Sequence, residues 1–156
     1  MNHDSRLSKL MDEEYISAQK LAHKIGLAPT TVQTWVRKGM PIALDSLLAV
    51  CEYFNCTADY FCCRSEERGR FNKAPIIYIE RIKTLLKKNK ISMDTLAAKM
   101  DAKRSSINNW ISGRTKLWSA SLIKLADIFG CSIDYILGLE IDETGATSEV
   151  AATTDI

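Results

Sequence analysis

The stretch Ser92–Gly138, SMDTLAAKMDAKRSSINNWISGRTKLWSASLIKLADIFGCSIDYILG, decides the fold. Its apolar residues recur at spacings of three and four, the signature of helices packed on one side, and not at the spacing of two that strands show. Ser92 is a good N-cap for a helix that turns Leu96, Ala97 and Met100 inward. After a short break at Asp101-Ala102-Lys103, a second helix carries Ile107, Trp110 and Ile111 inward and stops at Ser112-Gly113, where glycine tolerates a left-handed cap. A loop through Arg114–Trp118 leads to a helix over Ser119–Phe129, with Leu122, Leu125, Ala126 and Phe129 on its buried stripe. Gly130 ends that helix, and Ser132 caps a short one, Ile133–Leu137. Upstream, Ile79, Ile82, Leu85 and Leu86 predict one more helix, ending near Lys87-Lys88-Asn89-Lys90.

The same plan occurs earlier in the chain. Laying Arg6–Tyr60 over Arg81–Tyr135, an offset of 75 residues without a gap, gives 14 identities in 55 pairs, against about three expected from average residue usage. They include Arg6/Arg81, Leu21/Leu96, Ala22/Ala97, Trp35/Trp110, Leu47/Leu122, Phe54/Phe129, Cys56/Cys131, Asp59/Asp134 and Tyr60/Tyr135. In the first copy Ser17 caps a helix bearing Leu21, Ala22 and Ile25, and Gly26 makes the turn. Pro29 suits the first turn of the next helix, where its missing N–H costs nothing, and Val32, Trp35 and Val36 point inward. Gly39-Met40-Pro41 breaks the chain before Leu44–Phe54, whose stripe is Leu47, Val50, Cys51 and Phe54. The chain thus reads as all-α, two copies of one small unit, and whatever one copy binds can be presented twice.

The expected domains are 1–63, an exposed charged linker 64–75, a second domain 76–140 and a disordered acidic tail 141–156. Units of roughly 60 residues bury only about 60% of their unfolded surface, so the copies are expected to pack on each other or on a second chain. The net charge of +2 hides an asymmetry: residues 76–140 carry +5, residues 1–68 carry −1 and residues 141–156 carry −4. The second copy is therefore the candidate footprint for a polyanion. No apolar run approaches the ~18 residues of a membrane span, so no membrane contact is expected. Met1–Leu10 lacks an apolar stretch, which predicts no secretory signal and a cytoplasmic location.

Five cysteines without a signal peptide predict reduced thiols. Cys56 and Cys131 share a repeat position and, with Cys51, read as small buried hydrophobes. Cys62-Cys63 is a core or surface pair, with a redox-sensing role left open. His3 and His23 are the only histidines and no C-x-x-C occurs, so no metal site is expected. There is no phosphate-cradling glycine loop and no nucleophile–base pair, so neither an enzyme nor a cofactor is expected.

Each copy places a short helix, a three- to four-residue turn and a second short helix in sequence, with Leu-Ala on the first and Val/Ile-x-x-Trp on the second. Over Ser92–Gly138 and Ser17–Phe61 this resembles the lambda-repressor-like, or XRE, family of helix-turn-helix DNA-binding domains, and the endings CSIDYILG and CTADYF are similar to its fifth-helix segment. The resemblance implies two tandem five-helix domains and a bacterial or phage-type transcriptional regulator of double-stranded DNA. It places the family's base-reading positions on Arg104, Ser105 and Asn109. The chemistry agrees: Arg104, Ser105, Asn108, Asn109 and Ser112 are left outward, none acidic. Arg can fork onto guanine O6/N7 and Asn onto adenine N6/N7. Lys103, Ser106, Arg114 and Lys116 flank that face at phosphate height and are expected to position the protein without specifying sequence. Trp35 and Trp110 are read as core.

In the first copy the base-reading positions fall on Pro29, Thr30 and Thr34, beside Thr31, and carry no charge. Gln33, Arg37 and Lys38 remain as DNA-contact candidates. Asp12, Glu13 and Glu14 stand where the second copy has Lys87, Lys88 and Asn89, which disfavours close phosphate approach. The second copy is therefore expected to be the main reader and the tandem pair a pseudo-dimer. The alternative is a protein-interaction or antitoxin-like module on the same scaffold, with little DNA binding. On that reading the first copy holds a protein partner or a second chain in a homodimer.

Overall fold

The computed structural model describes residues 3–39 and 41–139; the expected acidic tail 141–156 lies outside them. Ten helices occur among the described residues: α1 (His3–Glu13), α2 (Ala18–Ile25), α3 (Pro29–Lys38), α4 (Leu44–Phe54), α5 (Ala58–Phe61), α6 (Tyr78–Lys88), α7 (Met93–Met100), α8 (Arg104–Ser112), α9 (Ser119–Phe129) and α10 (Ile133–Leu137). Among the described residues the fold is all-α, α1–α5 and α6–α10 repeating one five-helix order. Among the described residues, one compact unit comprises residues up to Phe71 with Trp118–Ala120, the other Asn72–Leu117 with residues 121–139.

The repeat survives in the backbone even where the residue types differ. Hydroxyls cap helix starts at Ser17 and Ser92, accepting from Lys20 and Thr95 N–H at 3.2 and 3.1 Å. Thr57 and Ser132 do the same for Tyr60 and Tyr135 at 3.0 and 2.9 Å. Left-handed residues also recur at the offset: Tyr15 with Lys90, Gly26 with Asp101, Asn55 with Gly130 and Cys63 with Gly138. Gly138 leaves a side chain no room, since a Cβ would lie 2.6 Å from Ile77 Cγ1 and 3.1 Å from the Pro75 carbonyl, and a Cβ at Gly69 would meet Thr57 Cγ2 at 2.6 Å. Each unit closes on its own core. In the first, Leu7, Leu10, Leu21, Val32, Leu47, Val50, Phe54 and Phe61 are buried; in the second, Ile82, Leu85, Leu96, Ile107, Leu122, Leu125, Ile133 and Ile136 are.

Several expectations are corrected by packing. Val32 and Trp35 are buried as expected, but in α8 only Ile107 is enclosed; Trp110 and Ile111 are half-buried. A short helix covers its central inward residue first, and a tryptophan is too large to be covered fully without neighbours on every side. Phe129 and Cys131 are likewise half-buried, whereas Cys51 and Cys56 lie in the core. Cys62 is buried and Cys63 half-buried. The expected exposed linker is not free over its first half. Arg64 pairs with Asp59, Arg68 Nη2 donates to the Phe54 carbonyl at 2.6 Å, and Asn55 Oδ1 accepts from Phe71 N–H at 3.0 Å. Residues 64–71 therefore belong to the first unit, because the Arg68 guanidinium satisfies the orphan Phe54 carbonyl at the end of α4 and the Phe71 N–H is held by the Asn55 side chain. Ile42 and Ser119, also within that unit, exchange two hydrogen bonds at 2.8 and 2.9 Å, which satisfies a serine only 1% exposed.

One recurring contact joins the first helix of each unit to its last. The Arg6 guanidinium lies 3.9 Å above the Tyr60 ring and that of Arg81 lies 4.0 Å above Tyr135. Arg6 is 1% exposed and donates to Glu66 at 3.1 Å, while Arg81 Nη1 donates to the Tyr135 carbonyl at 2.6 Å. A desolvated stack of this kind contributes ~2 kcal/mol. Arg6→Lys keeps the charge but loses the planar group, and is expected to lower unfolding free energy by about 1–3 kcal/mol in urea titration, with Arg6→Ala costing more. A lysine variant as stable as the parent would show that the stack does not hold α1 to α5.

Candidate nucleic-acid interface

In the second unit the helix pair α7–α8 is joined by Asp101-Ala102-Lys103. Asp101 takes φ 54°, its N–H donating to the Ala97 and Ala98 carbonyls, and Ala102 N–H reaches the Ala97 carbonyl at 2.9 Å. This left-handed cap ends α7 within one residue and turns the chain into α8. Lys103 is the extended residue before α8, and Gly113 at φ 82° ends it. Ile107 anchors α8 to the core, so the opposite side is set outward by helical geometry.

On that outer side Arg104, Ser105, Asn108 and Ser112 are exposed, and Asn109 and Ser106 are half-buried. Lys103, Arg114 and Lys116 are exposed beside them. The outward face of α8 therefore carries guanidinium, amide and hydroxyl groups and no carboxylate. Two side chains are less available than the residue types suggest. Ser112 Oγ donates back to the Asn109 carbonyl at 3.2 Å. Arg104 Nη1 donates to both oxygens of Asp94, each at 3.1 Å. Asp94 is a residue the sequence reading passed over. The only signal was its place, one residue into α7 just as Arg104 opens α8.

The first unit repeats the geometry with different chemistry. Gly26 at φ 77° ends α2, and Pro29 opens α3 with no side-chain cap. Thr30, Gln33, Arg37 and Lys38 are exposed; Thr31 and Thr34 are half-buried. Thr34 Oγ1 donates to the Thr30 carbonyl at 2.8 Å, so its hydroxyl is turned onto the helix. Gln33 and Arg37 rim an open concavity of about 300 Å³ with Met11, Ala18 and Val36. Asp12, Glu13 and Glu14 are exposed around the end of α1, Glu13 pairing with Arg68 at 3.4 Å, and Tyr15 beside them is 96% exposed.

A family model described as the Cro/C1-type HTH DNA-binding domain matches residues 6–59, and one described as helix-turn-helix matches residues 82–136. The chain belongs to the helix-turn-helix family, with two domains in tandem, the first matching the Cro/C1 type. A curated relative, an uncharacterised HTH-type transcriptional regulator YobD of Bacillus subtilis (strain 168), is 35% identical over 66 residues. That match covers 42% of this chain and 59% of the relative, so less than two thirds of the relative's length is spanned. No solved structure matches the chain significantly. Among the described residues no helix is long and apolar enough to cross a membrane.

The division of α8 into an anchoring and an outward side has a direct check. Ile107→Ala should cost ~2–4 kcal/mol of stability in chemical denaturation, whereas Asn109→Ala should stay within ~0.5 kcal/mol of the parent. Equal losses would mean that Asn109 serves the fold.

Proposed function

We propose that this chain is a sequence-specific regulator of transcription that binds double-stranded DNA, with its tandem helix-turn-helix units acting as a covalent pseudo-dimer and the second unit as the main reader. The observation that carries this reading is the outward side of α8, free of carboxylates and flanked by Lys103, Arg114 and Lys116, in a chain of the helix-turn-helix family. The relative's name, a transcriptional regulator, supports the same class. Arg104, Ser105, Asn108 and Asn109 read base edges in the major groove, where each base pair shows a distinct donor and acceptor pattern. Lys103, Ser106, Arg114 and Lys116 meet phosphates and set the register. In the first unit Thr30, Thr31, Gln33, Thr34, Arg37 and Lys38 form a weaker surface, because Thr34 bonds its own helix and no cation opens α3. Since the two readers differ, the preferred site is an imperfect repeat. A regulator of bacterial or phage DNA works in the cytoplasm, and no reaction is assigned to it.

A second reading rests on the exposed acids at the end of α1 and on Tyr15, which favour a protein partner or a second copy on the first unit. Stoichiometric co-purification of a partner, with no duplex retarded at any salt, would favour it.

Selection of a duplex from a random library at moderate salt, followed by gel-shift titration on that duplex, tests the leading reading. Arg104→Ala should weaken binding by roughly 5- to 100-fold, the loss of one forked base contact, and Thr30→Ala by much less. A larger loss from Thr30→Ala would reverse the order of the two readers. Affinity should also fall steeply with salt, and Lys103→Ala should reduce the slope of log K on log salt by about one.

A further inference from the structure

We propose that Asp94 sets the sequence discrimination of the second unit by holding Arg104 in a base-reading pose and away from phosphates. This rests on the reading of α8 as the main reader. Asp94 is the second residue of α7 and Arg104 the first of α8, and the turn at Asp101–Lys103 brings these two helix starts together. Both Asp94 oxygens accept from the same nitrogen, Nη1, at 3.1 Å. The two donors left to Arg104 are Nε and Nη2, which form one flat edge of the guanidinium with the parallel geometry that guanine O6 and N7 accept.

The pair does not hold the fold together. Its side chains are 57% and 70% exposed, and exposed ion pairs contribute little to stability. A carboxylate on a surface that meets a polyanion is otherwise a liability, since it repels phosphate and lowers affinity for every sequence. Paired with Arg104, it removes one cation from indiscriminate phosphate binding and returns an oriented fork. The first unit has Gln19 and Pro29 at the two positions, neither of which bears a charge, so the device exists only in the second unit.

The test uses the full chain, the duplex selected by the parent protein, and an unselected random-sequence duplex pool as competitor. Asp94→Asn and Asp94→Ala are compared with Arg104→Ala. The aspartate variants should bind the random pool as tightly as the parent or up to about threefold more tightly, with a slightly steeper salt slope. Their preference for the selected duplex should fall roughly tenfold, and repeated selection should lose a guanine at one position. Arg104→Ala should lose the same guanine but gain nothing on the random pool. Unchanged discrimination in both aspartate variants, or an equal loss on both duplexes with a lowered melting temperature, would overturn the role of Asp94 alone. Failure of the parent chain to retard or select any duplex would instead overturn the DNA-binding reading, and this inference with it.

Discussion

A helix of four to eleven residues is marginal in water by itself, so every helix here depends on what closes its unit. In both units that closure is an arginine laid flat on a tyrosine: Arg6 over Tyr60 and Arg81 over Tyr135. Each stack ties the first helix to the last, the two ends of the unit's own sequence. Tyr60 and Tyr135 are almost fully buried, so the arginine covers an aromatic face while its Nη atoms reach backbone carbonyls or a carboxylate. Such a contact combines packing, cation–π attraction and hydrogen bonding in one planar group, a fork that lysine lacks. With the ends joined, the three middle helices need only bury one stripe each, and the second and third can face their remaining sides outward.

That division explains where the two copies agree and where they differ. Positions recurring as Leu21/Leu96, Leu47/Leu122 and Val32/Ile107 are buried in both units, because a changed volume in a packed core carries a cost. Capping hydroxyls and left-handed residues recur because chain direction depends on them, even where Gly26 in one copy is Asp101 in the other. The outward sides of α3 and α8 carry no such constraint. One became a helix with Pro29 at its start and Thr34 folded onto its backbone, the other a helix opened by Arg104 and dressed with amides. Charge follows the same split, the acids of α1 standing where α6 ends in lysines.

Much of this was legible in the residues because it is local. The three-four spacing of Leu96 and Met100 and of Leu122, Leu125 and Phe129, the serine caps and the glycine stops depend on neighbours within a turn or two, and the helices begin and end close to where those signals lie. The outward placement of Arg104, Ser105 and Asn108 follows from Ile107 facing in. Degree of cover was not legible: Trp110 and Trp35 share a repeat position, yet one is half-buried and the other buried. Cover depends on the helices that happen to surround a side chain, and periodicity gives only its direction.

By itself the amino-acid sequence determined the helical class, the duplication, the tandem helix-turn-helix family and the side of the candidate reading helices that meets solvent. All of these follow from spacings along one chain. Only the tertiary structure decided which distant groups become partners. It set Arg6 on Tyr60, drew residues 64–71 onto the first unit, and brought Asp94 to Arg104 across a turn. A charged side chain's partner is chosen by a few ångströms of three-dimensional distance, and no periodicity in the chain encodes that.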